Sequence, residues 1–340
     1  MGGKTLPHPS IECRDHALRS VLPWLPQDIA DELMRLPSAI REGMEEIRLR
    51  AERPLEVSGI EQMLLKKVTR AQISHVVQAI TGSSLYAVEA ELRRGYITLP
   101  GGHRVGLAGH VSQSAQAQIE TMTQIGSCNI RLARAVLNFS RRLAPILVKP
   151  QGSGIRSALI VGPPRTGKTT LLRDLARTIG SGSFDRRLPR LRVAIVDERS
   201  EIAACHEGVP QFDVGISTDV LDAAPKIAGM SMMLRAMSPD VIITDEIGDA
   251  GDAGAVADVT RAGVSFIGSI HGGSLADVRI RHLLADLRAS GAVERFILIG
   301  RSGSEFAIQN VYDETLREVT GWASPSSSGW EAQQYLLRQP

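Results

Sequence analysis

The feature that most constrains this chain is an eight-residue segment near its middle, Gly162-Pro163-Pro164-Arg165-Thr166-Gly167-Lys168-Thr169. It fits the pattern GxxxxGK[ST], in which glycines allow the backbone to wrap closely around phosphate groups. A short apolar run, 158–161, precedes the segment, and an amphipathic helical pattern follows it as far as Gly180. Because this pattern requires a strand before it and a helix after it, the sequence predicts a phosphate-binding loop.

Each residue type in such a loop has a chemical role. The amides at the start of the following helix point at the anion. We expect the Lys168 ammonium to reach the β- and γ-phosphates and the Thr169 hydroxyl to bind Mg²⁺. The expected cofactors are therefore ATP and Mg²⁺. The expected nucleotide-binding residues are Gly162, Pro163, Pro164, Arg165, Thr166, Gly167, Lys168, Thr169 and Thr170.

The chain from residue 149 onward alternates apolar strands with helices. Further apolar runs lie at 193–196, 241–243 and 264–270, and Ile280, Leu283, Leu284 and Leu287 have the 0, 3, 4, 7 spacing of an amphipathic helix. Continuous apolar strands that alternate with helices indicate a mainly parallel sheet covered on both faces. Open sheets of this kind bind ligands at the carboxyl ends of their strands.

Polar residues follow three of these strands. Asp245-Glu246 ends the run at 241–243, and we expect Asp245 to hold Mg²⁺ and Glu246 to polarise the attacking water. Asp197-Glu198 ends the run at 193–196 in the same way, so Asp197 is a second candidate metal ligand. After Glu246, either Glu198 or Asp197 is the candidate water activator. His271 ends the fourth run and could hydrogen-bond the γ-phosphate or a neighbouring acid.

The N-terminal part has a different pattern of polar and apolar residues. Residues 28–33 begin like a helix, and Glu46-Ile47-Arg48-Leu49-Arg50 alternates polar and apolar residues as a half-buried strand does. Residues 95–109 predict a hairpin that turns at Pro100-Gly101-Gly102. We predict a smaller mixed α/β domain over 1–148, a P-loop α/β domain over 149–322, and a flexible tail over 323–340.

Composition argues against several classes of function. The net charge is only +2 and aromatic residues make up 4%, which disfavours nucleic acid as a partner. The three cysteines lie far apart, which suits a reducing compartment. No apolar run approaches the roughly 20 residues of a membrane helix, so we expect a cytoplasmic protein that reaches a membrane only through partner proteins.

These motifs together resemble a known group of proteins. The phosphate loop, Leu234-Arg235, 238–241, Asp245-Glu246 and the strand ending at His271 occur in the order found in secretion ATPases of type II and type IV systems and in pilus motors. Within that superfamily the chain most resembles the stage III sporulation protein AA family. Residues 46–50, 100–109, 129–134, 196–202 and 215–224 extend that resemblance over nearly the whole chain.

The resemblance implies a RecA-like ATPase domain and a homo-oligomeric, hexameric ring. It also implies membrane proteins of a sporulation channel complex as partners at the mother cell–forespore membrane. It also implies an arginine that completes the nucleotide site from another domain, for which Arg94, Arg104, Arg131 and Arg134 are candidates. The chain departs from the secretion enzymes in two respects. It carries Asp245 where they usually have Gly, and it lacks their four-cysteine zinc insertion.

Three functions remain open on the sequence. The first is a ring-forming ATPase that drives a membrane-associated export apparatus. The second is a nucleic-acid-stimulated P-loop ATPase, against which the near-neutral charge and the few aromatics argue. The third is a structural subunit that binds ATP and barely hydrolyses it, against which the intact pair Asp245-Glu246 argues.

Overall fold

The computed structural model of the chain describes residues 15–59, 61–82, 88, 91, 95–113, 119–133, 137–248, 250–273, 282–302 and 305–319. The chain forms two compact units. The first contains Met1–Ala135 and Ala204–Phe212, and the second contains Val136–Ala203 and Asp213–Pro340. The predicted tail, 323–340, lies outside the described residues.

The division differs from the predicted boundary after residue 148 in two places. Residues 137–148 belong with the second unit, where the backbone N–H groups of Asn138 and Ser140 donate to Asp174. Residues 204–212 belong with the first unit, where the Gly101 N–H donates to Gln211 Oε1. Sequence patterns along the chain do not reveal such exchanges, because they depend on long-range packing.

The first unit has four described helices, α1 His16–Val21, α2 Gln27–Arg35, α3 Ser38–Gly43 and α4 Arg70–Ile80. Helix α2 confirms the helix predicted at 28–33, and it buries Ile29, Ala30 and Leu33. Helix α4 begins at a capping box, in which the Thr69 side chain accepts from the Gln72 N–H and the Gln72 side chain accepts from the Thr69 N–H. The apolar faces of these helices share one core with the sheet beside them.

That sheet has six antiparallel strands in the order β3-β2-β1-β6-β5-β4. The strands are β1 Glu46–Arg50, β2 Pro54–Ser58, β3 Met63–Lys67, β4 Tyr96–Leu99, β5 His103–Gln113 and β6 Ile119–Arg131. In β1 the side chains of Ile47 and Leu49 are buried and the polar ones alternate with them, as predicted. The predicted hairpin is confirmed by β4 and β5, whose turn uses Gly101 and Gly102 at φ values of 83° and 79°.

The second unit is an α/β structure with a mainly parallel sheet. Its strands are β7 Ala158–Gly162, β8 Val193–Asp197, β9 Thr218–Asp222, β10 Val241–Thr244, β11 Ser265–His271, β12 Arg295–Ser302 and β13 Glu305–Asp313. They lie in the order β13-β12-β7-β11-β10-β8-β9, and every neighbouring pair is parallel except β12 with β13. The described helices are α5 Ala144–Leu147, α6 Lys168–Gly180, α7 Lys226–Met237, α8 Ala250–Arg261 and α9 His282–Ala289.

The four predicted strands are confirmed by β7, β8, β10 and β11, and the helix after the loop is confirmed by α6. Every residue of β7, β8 and β10 is buried, which explains why their sequences are continuously apolar. Helix α9 buries Leu283 and Leu287 as the spacing predicts, while Ile280 lies outside the described residues. Within the described residues, no helix is long and apolar enough to cross a bilayer.

The register of the sheet brings the polar strand ends together. His271 of β11 pairs with Gly162 of β7, and Thr244 of β10 pairs with Gly268 of β11 and with Val196 of β8. The strands are parallel, so their carboxyl ends emerge on one edge. The phosphate loop, Asp245-Glu246 and the turn after β8 all begin from this edge.

A buried carboxylate holds the segment before β7 against helix α6. Asp174 is 2% exposed and accepts from Asn138 N–H at 3.1 Å and Ser140 N–H at 2.8 Å. The Arg177 guanidinium pairs with the same carboxylate at 2.6 Å. The segment therefore depends on a side chain of the helix that follows the loop.

We expect Asp174→Ala to destabilise the second unit by about 3 kcal/mol, because it leaves two backbone donors and a half-buried guanidinium without their acceptor. Urea unfolding followed by circular dichroism measures the change. The exposed acid Asp258, paired with Arg261 on the surface of α8, supplies the control Asp258→Ala, which should change little. Equal midpoints for Asp174→Ala and the wild type would contradict this role of Asp174.

Candidate active site

The loop between β7 and α6 has the backbone geometry that its sequence predicts. Arg165 and Gly167 have φ values of 62° and 86°, and Gly167 is the N-cap residue of α6. A Cβ on Gly162 would lie 2.8 Å from Thr166 Oγ1 and 2.9 Å from Ile299 O, so this position accepts only glycine. The Thr166 hydroxyl donates to Pro163 O at 2.7 Å and closes the loop. The first N–H groups of α6 have no acceptor within the helix, which makes this end suitable for an anion.

The Lys168 side chain crosses the loop and is 5% exposed. Its Nζ donates to Gly162 O at 2.9 Å and to Pro163 O at 2.8 Å, and it lies 3.0 Å from His271 Nδ1. Burial lowers the pKa of Lys168, and the charges of Asp245 and Glu246 oppose that shift. The ammonium is thus held at the loop, beside the strand that carries His271.

Asp245 joins three elements of the site. The Thr169 hydroxyl of α6 donates to Asp245 Oδ2, and the Ser269 hydroxyl of β11 donates to Asp245 Oδ1. The Glu246 N–H also donates to Asp245 Oδ1, at 2.9 Å. Two of the three residues predicted to bind the metal, Thr169 and Asp245, are therefore in direct contact.

These oxygen donors fit Mg²⁺. Mg²⁺ prefers oxygen ligands and is usually bound by one or two protein groups together with phosphates and water. Among the described residues there is no group of three or more His, Cys, Asp or Glu side chains that could hold a metal alone. A hydroxyl beside a single carboxylate is the donor set expected for a magnesium–nucleotide site.

Glu246 is held on both of its carboxylate oxygens. His271 Nε2 lies 2.6 Å from Oε1, and the Arg199 guanidinium lies 2.6 Å from Oε2. Because Lys168 can only donate to His271 Nδ1, the proton of the imidazole lies on Nε2, which donates to Glu246. His271 therefore connects the lysine of the loop to the carboxylate that follows β10. This is the neighbouring-acid alternative that the sequence left open for His271.

Asp197 and Glu198 have other partners. Asp197 is 2% exposed and accepts from the N–H groups of Glu201 at 2.7 Å and of Ile202 and Ala203 at 2.9 Å each. Glu198 pairs with Lys226 at 2.7 Å. Among the described residues, the side chains of these two acids contact the turn after β8 and helix α7. Asp245 instead contacts Thr169 and Ser269, and Glu246 contacts His271 and Arg199.

The sequence missed two residues of the site. Ser269 is a small polar residue in a buried apolar strand, which is the signal that could have marked it. Arg199 directly follows Asp197-Glu198 in the sequence, and it pairs with Glu246. Arg235 donates to Ser231 O of its own helix, and Arg261 pairs with Asp258.

The arginines proposed to act from another domain have separate partners or are not described. Arg104 stacks on the Tyr96 ring at 4.4 Å, and Arg131 pairs with Glu46 at 3.2 Å. Arg94 and Arg134 lie outside the described residues. Which arginine completes a nucleotide site stays a prediction.

The buried Asp197 makes stability depend on pH. Burial raises the pKa of Asp197 from 3.8 to about 6, and the Asp222 charge adds to the shift. The folded state therefore binds the Asp197 proton more tightly than the unfolded state does. The stabilisation that this proton gives to the folded state is complete below about pH 4 and is lost as pH rises through 6. Converted at 1.36 kcal/mol per unit, the loss is about 3 kcal/mol.

We expect Asp197→Asn to remove this dependence, because an amide does not ionise. Urea denaturation at several pH values measures the unfolding free energy of both proteins. Between about pH 4 and 6, the unfolding free energy of the wild type should fall relative to that of the variant. Asp258→Asn is the matched control, since Asp258 is exposed. A difference for Asp197→Asn that stays constant across this range would contradict the assignment.

The family model for sporulation stage III, protein AA matches residues 28–319. Stage III sporulation protein AA of Bacillus subtilis (strain 168) is 40% identical over 302 residues, which cover 87% of this chain and 96% of that relative.

Two solved structures share the fold at low identity. The ATPase DotB of Legionella pneumophila has a TM-score of 0.56 at 14% identity, covering 92% of this chain and 84% of that chain. The pilus retraction motor PilT with bound ADP has a TM-score of 0.54 at 14% identity, covering 80% of this chain and 77% of that chain. The likeness confirms the predicted RecA-like α/β fold. Because the family model spans both units, the chain belongs to the sporulation stage III protein AA family.

Proposed function

We propose that this chain binds ATP with Mg²⁺ and hydrolyses it. One observation carries the proposal: the Thr169 hydroxyl at the start of α6 contacts the Asp245 carboxylate after β10, and the next residue, Glu246, contacts His271 beside the loop lysine. This arrangement supports a metal–phosphate site and a carboxylate base at one edge of the sheet. DotB is an ATPase and PilT is a motor with bound ADP, and their likeness to this chain supports the same chemistry.

Binding follows from the loop. The amides at the start of α6 and the Lys168 ammonium bind the phosphates, and Thr169 and Asp245 hold the metal. Mg²⁺, when bound, neutralises charge that develops on the phosphate oxygens. Ser269 keeps Asp245 oriented through its hydrogen bond to Oδ1.

Hydrolysis follows from Glu246. Glu246 accepts a proton from a water molecule as the water oxygen forms a bond to the γ-phosphorus. The bond from that phosphorus to the bridging oxygen breaks, and its electrons leave with ADP. The proton on Glu246 then passes to phosphate or solvent. Asp197 and Glu198, the other acidic pair, position the turn after β8 in this proposal and do not carry the reaction.

We further propose that the chain works as a homo-oligomeric ring, a hexamer, which drives a channel or secretion-type complex at the mother cell–forespore membrane. Membership of a sporulation family supports the setting, and the secretion-ATPase fold supports the motor. In this proposal the protein is cytoplasmic, and the membrane proteins of the complex hold it at the membrane.

We expect Glu246→Gln to lower kcat for ATP hydrolysis about 10²–10⁴-fold, because the amide does not accept the proton, while ATP binding stays within a few-fold of wild type. Lys168→Ala should weaken both binding and turnover, because it removes the cation at the phosphates. Phosphate release and binding of a fluorescent ATP analogue measure the two quantities. Glu198→Gln is the matched comparison, and it should retain most of the activity.

Each contrary outcome favours a different function. Unchanged turnover in Glu246→Gln would show that Glu246 is not the water-activating residue. ATP binding by the wild-type chain without any turnover would indicate a structural nucleotide-binding subunit. Single-stranded nucleic acid should leave turnover unchanged. A stimulation that declines steeply with salt would favour the nucleic-acid-stimulated ATPase instead.

We expect the Glu246→Gln variant with Mg²⁺ and ATP to sediment as a six-copy species, because unhydrolysed nucleotide keeps the ring in one state. Sedimentation velocity with and without ATP measures this assembly, and Lys168→Ala is the control. A single-copy species under all conditions would contradict the ring. Absence of membrane proteins from a complex purified from sporulating cells would contradict the export role.

A further inference from the structure

Arg199 reaches the proposed water-activating residue from a neighbouring strand. It lies two residues beyond the end of β8, and its guanidinium is 2.6 Å from Glu246 Oε2. Strand β8 is parallel to β10, with Thr244 opposite Val196. The segments that follow the two strands therefore emerge side by side, which brings Arg199 next to Glu246.

The backbone that carries Arg199 is fixed from several directions. The Asp197 carboxylate accepts from the N–H groups of residues 201–203, and the Ser200 hydroxyl donates to Asp222 Oδ1 at 2.6 Å. Arg173 of helix α6 donates to Glu201 O at 2.7 Å and to Ile202 O at 2.6 Å. The turn is thus tied both to the strand before it and to the helix that begins at the phosphate loop.

Glu246 needs such support because of its own position. It follows the strand end with a φ of 49°, an uncommon conformation for a residue with a side chain. The terminal torsion of a Glu side chain has a broad energy minimum, so one hydrogen bond leaves the carboxylate plane free to rotate. His271 on Oε1 and Arg199 on Oε2 together fix that plane.

The ion pair itself contributes little to folding. The Arg199 side chain is 62% exposed, and exposed ion pairs have small net energies because water and salt screen them. A base must be aligned with the water that it deprotonates, and a small displacement can cost about two orders of magnitude in rate. The ion pair therefore acts mainly by orienting the Glu246 carboxylate.

We propose that Arg199 is a positioning residue that, with His271, orients the Glu246 carboxylate toward the attacking water. The inference rests on the proposed ATP hydrolysis and adds a residue from the turn after β8 to it. Nucleotide binding does not require Arg199, because the amides of the loop, Lys168 and the metal ligands form the phosphate site.

Steady-state ATP hydrolysis by the full chain tests the proposal. Arg199→Ala should lower kcat about 10–100-fold and leave KM for ATP within about twofold, and Arg199→Lys should recover part of the loss. In the Glu246→Gln background, Arg199→Ala should lower kcat by less than about a further twofold, because the carboxylate that Arg199 orients is already absent. Arg261→Ala removes a comparably exposed ion-pairing arginine and should match the wild type.

Each other outcome has a definite meaning. Wild-type kcat in Arg199→Ala, a loss confined to KM, or a full additional loss in the Glu246→Gln background would overturn the role of Arg199 and leave the proposed ATPase intact. If Arg199→Ala fails to fold, Arg199→Lys decides: partial activity with unchanged KM supports the proposal, and full loss overturns it. A wild-type chain that does not hydrolyse ATP would refute the proposed function, and this inference with it.

Discussion

The contact between the Thr169 hydroxyl and the Asp245 carboxylate connects the two halves of the site. Thr169 belongs to α6, the helix that follows the loop after β7. Asp245 follows β10, which lies two positions from β7 in the sheet. Ser269, on the strand between them, completes the link through Asp245 Oδ1. A short polar chain therefore crosses three elements at the edge where parallel strands end, and the geometry of both loop and base depends on it.

A second polar chain lies beside the first. Lys168, His271 and Glu246 are joined by two hydrogen bonds, so the lysine proposed to bind phosphate is connected to the carboxylate proposed to activate water. The lysine end of this chain is buried, and buried hydrogen bonds are stronger while unpaired buried groups cost more. Movement of the lysine would change the surroundings of His271, and through it those of Glu246. These two hydrogen bonds thus connect the phosphate loop directly to the Glu246 carboxylate.

The two acidic pairs show how identical local patterns acquire different contacts. Asp197-Glu198 and Asp245-Glu246 each end a buried apolar strand. The Asp197 carboxylate is surrounded by three backbone N–H groups, whereas the Asp245 carboxylate meets two hydroxyls and one N–H group. The sequence predicted both pairs at the same edge. The partners of Asp197 lie in the turn directly after it, whereas Thr169 and Ser269, the hydroxyl partners of Asp245, are distant along the chain. The contacts of Asp245 therefore depend on tertiary packing.

The amino-acid sequence alone determined the phosphate loop, the parallel sheet around it and the placement of polar residues at its edge, because these depend on local spacing and on the apolar character of buried strands. It also predicted the hairpin at Pro100-Gly101-Gly102, since that turn needs residues that tolerate positive φ. Only the tertiary structure decided that Arg199 meets Glu246, that Ser269 holds Asp245 and that residues 204–212 join the first unit. These facts follow from the lateral order of strands and the course of long connections, and neither leaves a periodic signal in the chain.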